Sequence, residues 1–388
     1  MWRILSLVLV ALVIVVFGFS LADVSQGDAV TASAEIVGLP ADVGAFALAT
    51  DTNYAWEFPR DHGAHPDFLT EWWYYTGNLS DAEGRRFGYQ FTVFRRALTP
   101  TESDDGSEWR TRQAYLAHFT VSDIEGGQFY QDELVGRGAA DLAGATVDPR
   151  YRVWIEDWEV LALDDDATQV QMRADAGDFA VDFILEQTKA PVLQGTNGLS
   201  QKGSEFGNAS YYYSIPRMLT TGTLRIGDET FTVSGDTWMD REFSTSALST
   251  NLQGWDWFGL IFDDGRELML YQLRQTDGGK ALTSAGLFVH ADGTTSYLPS
   301  SSYTITATDT WRSSYSRATY PAGWQIVIDG ATLNQSAPLT FTLTPLLADQ
   351  ELHSIPTYWE GAVRIGGDVS GYGYAELTGY VARLSGIF

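Results

Sequence analysis

The sequence predicts an all-β protein with more strands than one barrel can use. Three observations carry that expectation. Apolar residues recur with a period of two along many runs, and Gly, Asp or Pro punctuates the chain at strand-length intervals. Aromatic residues are abundant as well, with 13 Trp, 19 Tyr and 20 Phe among 388 residues. The runs include Arg86–Arg96, Ala114–Asp123, Tyr151–Leu163, Asp178–Gln187, Leu219–Gly227, Gly254–Asp263, Glu267–Gln275 and Ala362–Val381. They amount to roughly 16–18 strands, twice the number one eight-stranded barrel needs, which leaves sandwiches or barrels. No amphipathic helical stretch exceeds about three turns.

The chain opens with Met1-Trp2-Arg3 and an almost unbroken apolar run, Ile4 to Ala22, ending Ser20-Leu21-Ala22. A short positive start, an apolar stretch and a small-x-small ending are what an export signal requires. A retained membrane anchor is the rival reading, since a run of 19 residues just suffices to cross a bilayer. Either way the folded part is expected to be secreted or periplasmic, with membrane association only through residues 4–22. Residues 23–50 are small and weakly patterned and read as a linker.

One internal similarity suggests two related halves. Trp72-Trp73-Tyr74-Tyr75 leads through Asp81–Arg85 back to Tyr89-Gln90, and Trp255-Asp256-Trp257-Phe258 leads through Asp263–Arg266 back to Tyr271-Gln272. Each is an aromatic strand, a Gly-bearing turn and a return ending in Tyr-Gln, with Gly supplying the positive φ that closes a hairpin. Two similar barrels, joined near residues 236–250, would account for the repetition.

Composition excludes several functions. With 24 Lys+Arg against 50 Asp+Glu, the formal charge is −26, and only Lys189, Lys202 and Lys280 are lysines. No basic surface remains to neutralise phosphates, so nucleic acid is not a partner. The absence of cysteine rules out disulfides, thiolate catalysis and Cys-ligated zinc. There is no Gly-x-Ser-x-Gly elbow, P-loop or dinucleotide fingerprint.

Two constellations remain. His62, His65 and Glu71 offer three ligand atoms within eleven residues. Gly63 and Pro66 make the segment a loop, however, so hydrogen bonds that pin the loop are expected rather than a metal. The second constellation joins Tyr211-Tyr212-Tyr213-Ser214-Ile215-Pro216-Arg217-Met218 to Gly235-Asp236-Thr237-Trp238-Met239-Asp240-Arg241-Glu242-Phe243. On strands, Tyr211 and Tyr213 share one face, as do Trp238 and Asp240. If those faces meet, Asp240 lies among aromatic rings, its pKa rises, and it becomes a proton donor at neutral pH beside faces able to hold a carbocation. The alternative is a structural acid paired with Arg241 or Arg217 at a domain junction.

The motifs as a set resemble the AttH-like proteins, relatives of the carotenoid 1,2-hydratases (hydroxyneurosporene synthases). The likeness runs in order through Phe58–Pro66, Glu71–Gly77, Phe87–Arg95, Tyr212–Met218, Gly235–Asp240, Trp255–Phe258, Tyr358–Val363 and Gly371–Tyr380, over residues 53–381. It implies two consecutive lipocalin-like antiparallel β-barrels packed together, the second starting shortly after Asp240. The expected organisation is therefore a signal or anchor at 1–22, a linker at 23–50, and barrels at 51–241 and 242–388.

The resemblance also implies an apolar ligand space and, in the hydratase branch, cofactor-free addition of water to an isoprenoid double bond. There an aspartate donates the proton beside a His, a Trp and a Tyr. The branch's Tyr-x-Asp falls on Trp238-Met239-Asp240, which keeps the acid and exchanges the tyrosine. Its His-x-Trp falls on Tyr211-Tyr212-Tyr213, which keeps neither residue.

These readings give three functional expectations. The first is an exported protein binding a lipid, isoprenoid or polyene in an aromatic cavity near the domain junction, with Tyr212, Trp255, Trp257, Trp73 and Tyr75 on the ligand. The second is a carotenoid- or isoprenoid-type hydratase, formally a lyase, with Asp240 as general acid and Trp238, Tyr211 and Tyr213 around the cation. The third is a secreted hydrolase using Asp240 and Glu242, or a water held by His62 and His65. No metal or organic cofactor is expected in any of them.

Overall fold

The computed structural model describes residues 43–100, 111–245 and 248–384. The predicted signal or anchor at 1–22 and most of the predicted linker lie outside these residues. The described end of that linker, residues 43–50, is docked: Phe46 packs with Leu69 and Ala97, and the Ala47 amide donates to the Asp67 carbonyl at 2.9 Å.

The first sheet has thirteen strands. They are β1 (Thr70–Ser80), β2 (Arg86–Ala97), β3 (Gln113–Asp123), β4 (Gln128–Arg137), β5 (Ala143–Thr146), β6 (Arg152–Ile155), β7 (Trp158–Ala162), β8 (Gln169–Asp175), β9 (Phe179–Gln187), β10 (Val192–Leu193), β11 (Leu199–Gln201), β12 (Ala209–Ile226) and β13 (Glu229–Ser244). Their order is β4-β3-β2-β1-β13-β12-β9-β8-β7-β6-β5, with β10 and β11 also pairing with β12.

The second part comprises β14 (Leu252–Phe262), β15 (Glu267–Gln275), β16 (Ala285–Val289), β17 (Thr295–Pro299), β18 (Tyr303–Ala307), β19 (Thr310–Arg312), β20 (Thr319–Pro321), β21 (Trp324–Ile328), β22 (Leu339–Pro345), β23 (Glu351–Leu352), β24 (Tyr358–Gly367) and β25 (Gly371–Leu377). Ten of these form a sheet in the order β17-β16-β15-β14-β25-β24-β22-β21-β18, with β23 on β24, while β19 and β20 pair separately. Three short 3-10 turns are the only helical segments among the described residues.

The two sheets follow one plan. In each, the first strand pairs antiparallel with the last, β1 with β13 and β14 with β25, and a four-strand meander runs off the first strand. Each therefore curls into a nearly closed barrel, leaving a single unladdered seam between β4 and β5 or between β17 and β18. The two similar hairpins in the sequence are β1–β2 and β14–β15, and Gly84 (φ +90) and Gly265 (φ +83) close their turns.

Two of the alternating runs are hairpins. Tyr151–Leu163 folds back at Glu156, which takes φ +54. Ala362–Val381 breaks after Gly367 (φ +122). In the first run the alternation changes phase at the turn, from Val153 and Ile155 to Trp158 and Val160, and in the second the break falls at Gly366-Gly367.

Each barrel has its own core. Trp73, Tyr75, Phe91, Phe119, Trp158 and Tyr213 fill the first, and Phe258, Leu270, Trp324, Ile326 and Trp359 the second. A third cluster, including Tyr74, Tyr212, Trp238, Trp257, Met269, Ala362 and Tyr374, lies between the barrels. Strands β1, β12 and β13 are accordingly buried on both faces where they meet the second barrel.

The interface is closely fitted. A Cβ on Gly88 would come within 2.7 Å of the Ala362 Cβ. Arg217 and Lys189 reach from the first barrel to the buried Glu267 of the second, at 2.7 and 2.6 Å.

Candidate functional site

Between the barrels lies a partly open cavity of about 130 Å³. Alternation along each strand decides which side chains reach it. Strand β1 contributes Thr70, Trp72 and Tyr74, β3 contributes Leu116 and His118, and β13 contributes Asp240 and Glu242. From the second barrel come Trp255 and Trp257 of β14, Tyr271 of β15, Tyr358 of β24 and Glu376 of β25.

Asp240 is buried in this wall and holds three neutral donors. The Tyr212 hydroxyl donates to Oδ2 at 2.5 Å, while the Ser214 hydroxyl and the Trp238 indole N–H donate to Oδ1 at 2.5 and 2.7 Å. Register explains the set, since Ser214 lies directly across from Asp240 and Tyr212 across from Glu242. Among the described residues no cation is hydrogen-bonded to Asp240, although Lys202 interacts with its charge. Burial therefore dominates over the three hydrogen bonds, and with a push from Glu242 it raises the carboxyl to about 7.

The rest of the wall is charged in a fixed way. Lys202 pairs with Glu242 at 2.9 Å, and its ammonium sits over the Tyr212 and Tyr271 rings, 5.1 and 4.7 Å from their centroids. Glu376 accepts from the Trp255 indole at 3.0 Å. Burial, above all, raises it to about 7, with Asp240 and Glu242 adding to the shift. The His118 Nδ1 is 2.8 Å from the Tyr358 hydroxyl.

Several expected partners of Asp240 are elsewhere. Tyr211 and Tyr213 face away from it. Tyr213 is buried in the first barrel with its hydroxyl 2.6 Å from the His62 Nδ1, and Tyr211 packs with Phe68 and Phe243. Trp73 and Tyr75 are likewise inside the first barrel, where the Trp73 indole donates to the His62 carbonyl at 2.7 Å and the Tyr75 hydroxyl meets that of Tyr151 at 3.0 Å. Of the expected partners Trp238 contacts Asp240, whereas Tyr212 and Ser214 stand where Tyr211 and Tyr213 were expected. Of the expected ligand contacts, Tyr212, Trp255 and Trp257 line the cavity, whereas Trp73 and Tyr75 do not. Their neighbours Trp72 and Tyr74 take those places.

The expected pairing of Asp240 with Arg241 or Arg217 is not formed. Arg241 points into the first barrel and pairs there with Glu71, and Arg217 pairs with Glu267. The His62–Glu71 loop is pinned by hydrogen bonds: the His65 Nε2 meets Asp61 at 3.2 Å, and the His65 amide donates to Glu71 at 3.0 Å. Its rings engage residues of the first barrel, His65 stacking on Phe243 at 3.6 Å, and neither histidine lines the cavity. A water held by His62 and His65 would therefore be separated from Asp240.

The family model described as AttH-like matches residues 49–380. This chain belongs to the AttH-like family. Among solved structures, an AttH protein from Nitrosomonas europaea is 34% identical, with 85% of this chain and 99% of that one covered at a TM-score of 0.75. Kievitone hydratase from Nectria haematococca is 17% identical, covering 87% and 97% with a TM-score of 0.63. CghA, at 11% identity, covers 86% and 94% with a TM-score of 0.52. The last two likenesses are likenesses of fold. No curated protein matches the chain significantly.

Within this AttH-like protein, sequence reasoning missed Ser214, Trp72, Tyr74, His118, Lys202, Tyr271, Tyr358 and Glu376 as neighbours of the acid. The β12–β13 turn sets even-numbered residues opposite odd-numbered ones, and a bulge between Ile215 and Met218 then shifts the register so that Ser214, not Ile215, lies across from Asp240, which the sequence did not signal. For His118 and Glu376 no local signal exists, since their strands are brought to the cavity by barrel closure and barrel packing.

Proposed function

We propose that this protein is an exported, hydratase-type enzyme that adds water to, or removes it from, a carbon–carbon double bond of an apolar small molecule. The observation that carries this reading is Asp240, a buried carboxyl near neutrality whose hydrogen bonds come from neutral donors, opening on a cavity walled by aromatic rings. A carboxyl in that state gives up a proton to a weakly basic π bond more readily than an exposed one. Asp240 would protonate the less substituted carbon, the π electrons forming the new C–H bond. The positive charge left on the other carbon would rest among Tyr212, Trp257, Trp72 and Tyr74 until water closes the C–O bond. This chemistry asks for a proton and a water and needs no metal or organic cofactor. The fold relative named kievitone hydratase makes hydration a natural chemistry for these barrels to support.

The test is incubation of the protein with acyclic isoprenoid alkenes and analysis by mass spectrometry. The expected product is one water heavier. Asp240→Asn should lower its formation by about a hundredfold or more while ligand affinity holds. The second reading is a lipid or isoprenoid binder, favoured by the largely apolar lining. Stoichiometric recovery of unchanged alkene from both proteins would establish it in place of the enzyme.

A further inference from the structure

We propose that Glu376 of the second barrel is the base that works opposite Asp240, taking the proton from the water that attacks the cation. This inference rests on the hydratase-type reading and adds to it the group that activates water. Both carboxyls line the same cavity, and they come from different barrels. Their supports are interleaved. Glu376 lies directly across from Trp257 in the β14–β25 ladder, and the Trp257 indole donates to the Tyr212 hydroxyl at 3.1 Å, which in turn donates to Asp240. The neighbouring indole, Trp255, holds Glu376 itself. A substrate between the two walls would meet an acid on one side and a base on the other.

The step balances. Asp240 gives its proton to carbon and becomes a carboxylate, water supplies the electron pair of the C–O bond, and its surplus proton goes to Glu376. Exchange with solvent then returns the pair to its starting state. Other groups around Glu376 are committed elsewhere. Glu242 is paired with Lys202, and His118 meets Tyr358 through Nδ1 while its Nε2 lies 3.5 Å from Glu133. Glu360 faces Glu376 across β24–β25, fully buried beside Tyr74, and its burial, with the charge of Glu376 adding, pushes its carboxyl well above the usual range. Asp240 and Glu376 line the cavity with both carboxyls raised to about 7.

Two measurements on the purified protein test this. The first needs no substrate: carboxyl carbons are followed by 13C NMR against pH. Asp240→Asn is expected to shift the Glu376 midpoint down, Glu376→Gln to shift the Asp240 midpoint down, and Trp255→Phe, which removes a donor to the carboxylate, to shift Glu376 up. Midpoints that ignore each other overturn the pairing. The second uses acyclic isoprenoid alkenes in deuterated water. Glu376→Gln should retain deuterium incorporation into recovered alkene but lose about a hundredfold in hydrated product, whereas Asp240→Asn should lose both. Wild-type hydration by Glu376→Gln would overturn the assignment while leaving Asp240 in its role. Full hydration by Asp240→Asn would instead overturn the hydratase-type reading beneath it.

Discussion

Asp240 and Arg241 are adjacent on β13 and serve opposite sides of it. Asp240 faces the inter-barrel cavity on neutral donors, and Arg241 faces the first barrel, where it joins Arg95 around the carboxylate of Glu71. Strand pleating thus keeps a titratable acid and a fixed ion cluster one residue apart without letting them neutralise each other.

The acid should leave a mark on stability. Its folded pKa of about 7 lies above the ordinary value of 3.8, so between these values the folded state holds a proton that the unfolded chain releases. Stability attributable to Asp240 is complete below pH 4, falls as pH rises towards 7, and levels off above. Relative to wild type, Asp240→Asn should therefore gain up to roughly 4 kcal/mol between pH 4 and pH 7. Urea denaturation of both proteins across that range checks it, and parallel curves would contradict the buried neutral acid.

Tyr212→Phe removes the hydroxyl that donates to Asp240 and accepts from Trp257. With one donor gone, the Asp240 carboxylate is less stabilised and its midpoint should move upward. The stranded Trp257 N–H should cost about 1–3 kcal/mol of stability. An unmoved midpoint in an NMR titration would mean the hydroxyl does not govern the acid.

How far the sequence discloses this site can be judged from particular residues. The strand rhythm, the paired hairpins and Asp240 are legible because period-two alternation and turn glycines are local. Which of Trp72 and Trp73, or of Tyr212 and Tyr213, reaches Asp240 is hidden, because β1 and β12 are buried on both faces and their alternation carries no polar side. His118 and Glu376 are illegible for another reason: they reach the cavity through pairings and packing between residues far apart in the chain.

Glu71→Gln addresses the ion cluster. Glu71 is fully buried, and although burial opposes its charge, Arg241 and Arg95 hold its carboxyl well below the usual range. Loss of the charge leaves two buried guanidiniums uncompensated, and stability should drop by about 3–5 kcal/mol at pH 7. Because the wild-type contribution is present above the ordinary glutamate value and fades as pH falls beneath it, the gap between the proteins should narrow in acid. Calorimetry at pH 7 and pH 3 measures the gap, and a constant difference would contradict the ion pairing.

Gly88→Val tests the seat of one barrel on the other. The new side chain meets Ala362, a residue of the second barrel. The expected cost is about 1–3 kcal/mol, together with a change in Trp fluorescence as Trp257 and Trp238 shift. Unaltered stability and fluorescence would mean that the barrels are not in register at this contact.

Pairing of first with last strand has a further consequence for how the protein is made. β1 emerges early from the ribosome, yet its partner β13 follows only after every other strand of that sheet, and β14 waits in the same way for β25. At translation rates of about 5–20 residues per second, the aromatic edge of β1 stays unpaired for several seconds or more, a prolonged opportunity for misassociation that holdase chaperones would be suited to cover. Asp240 and Glu376 sit on the two late-arriving partners, so a chain that ended before β25 would lack at least one of the two cavity carboxyls.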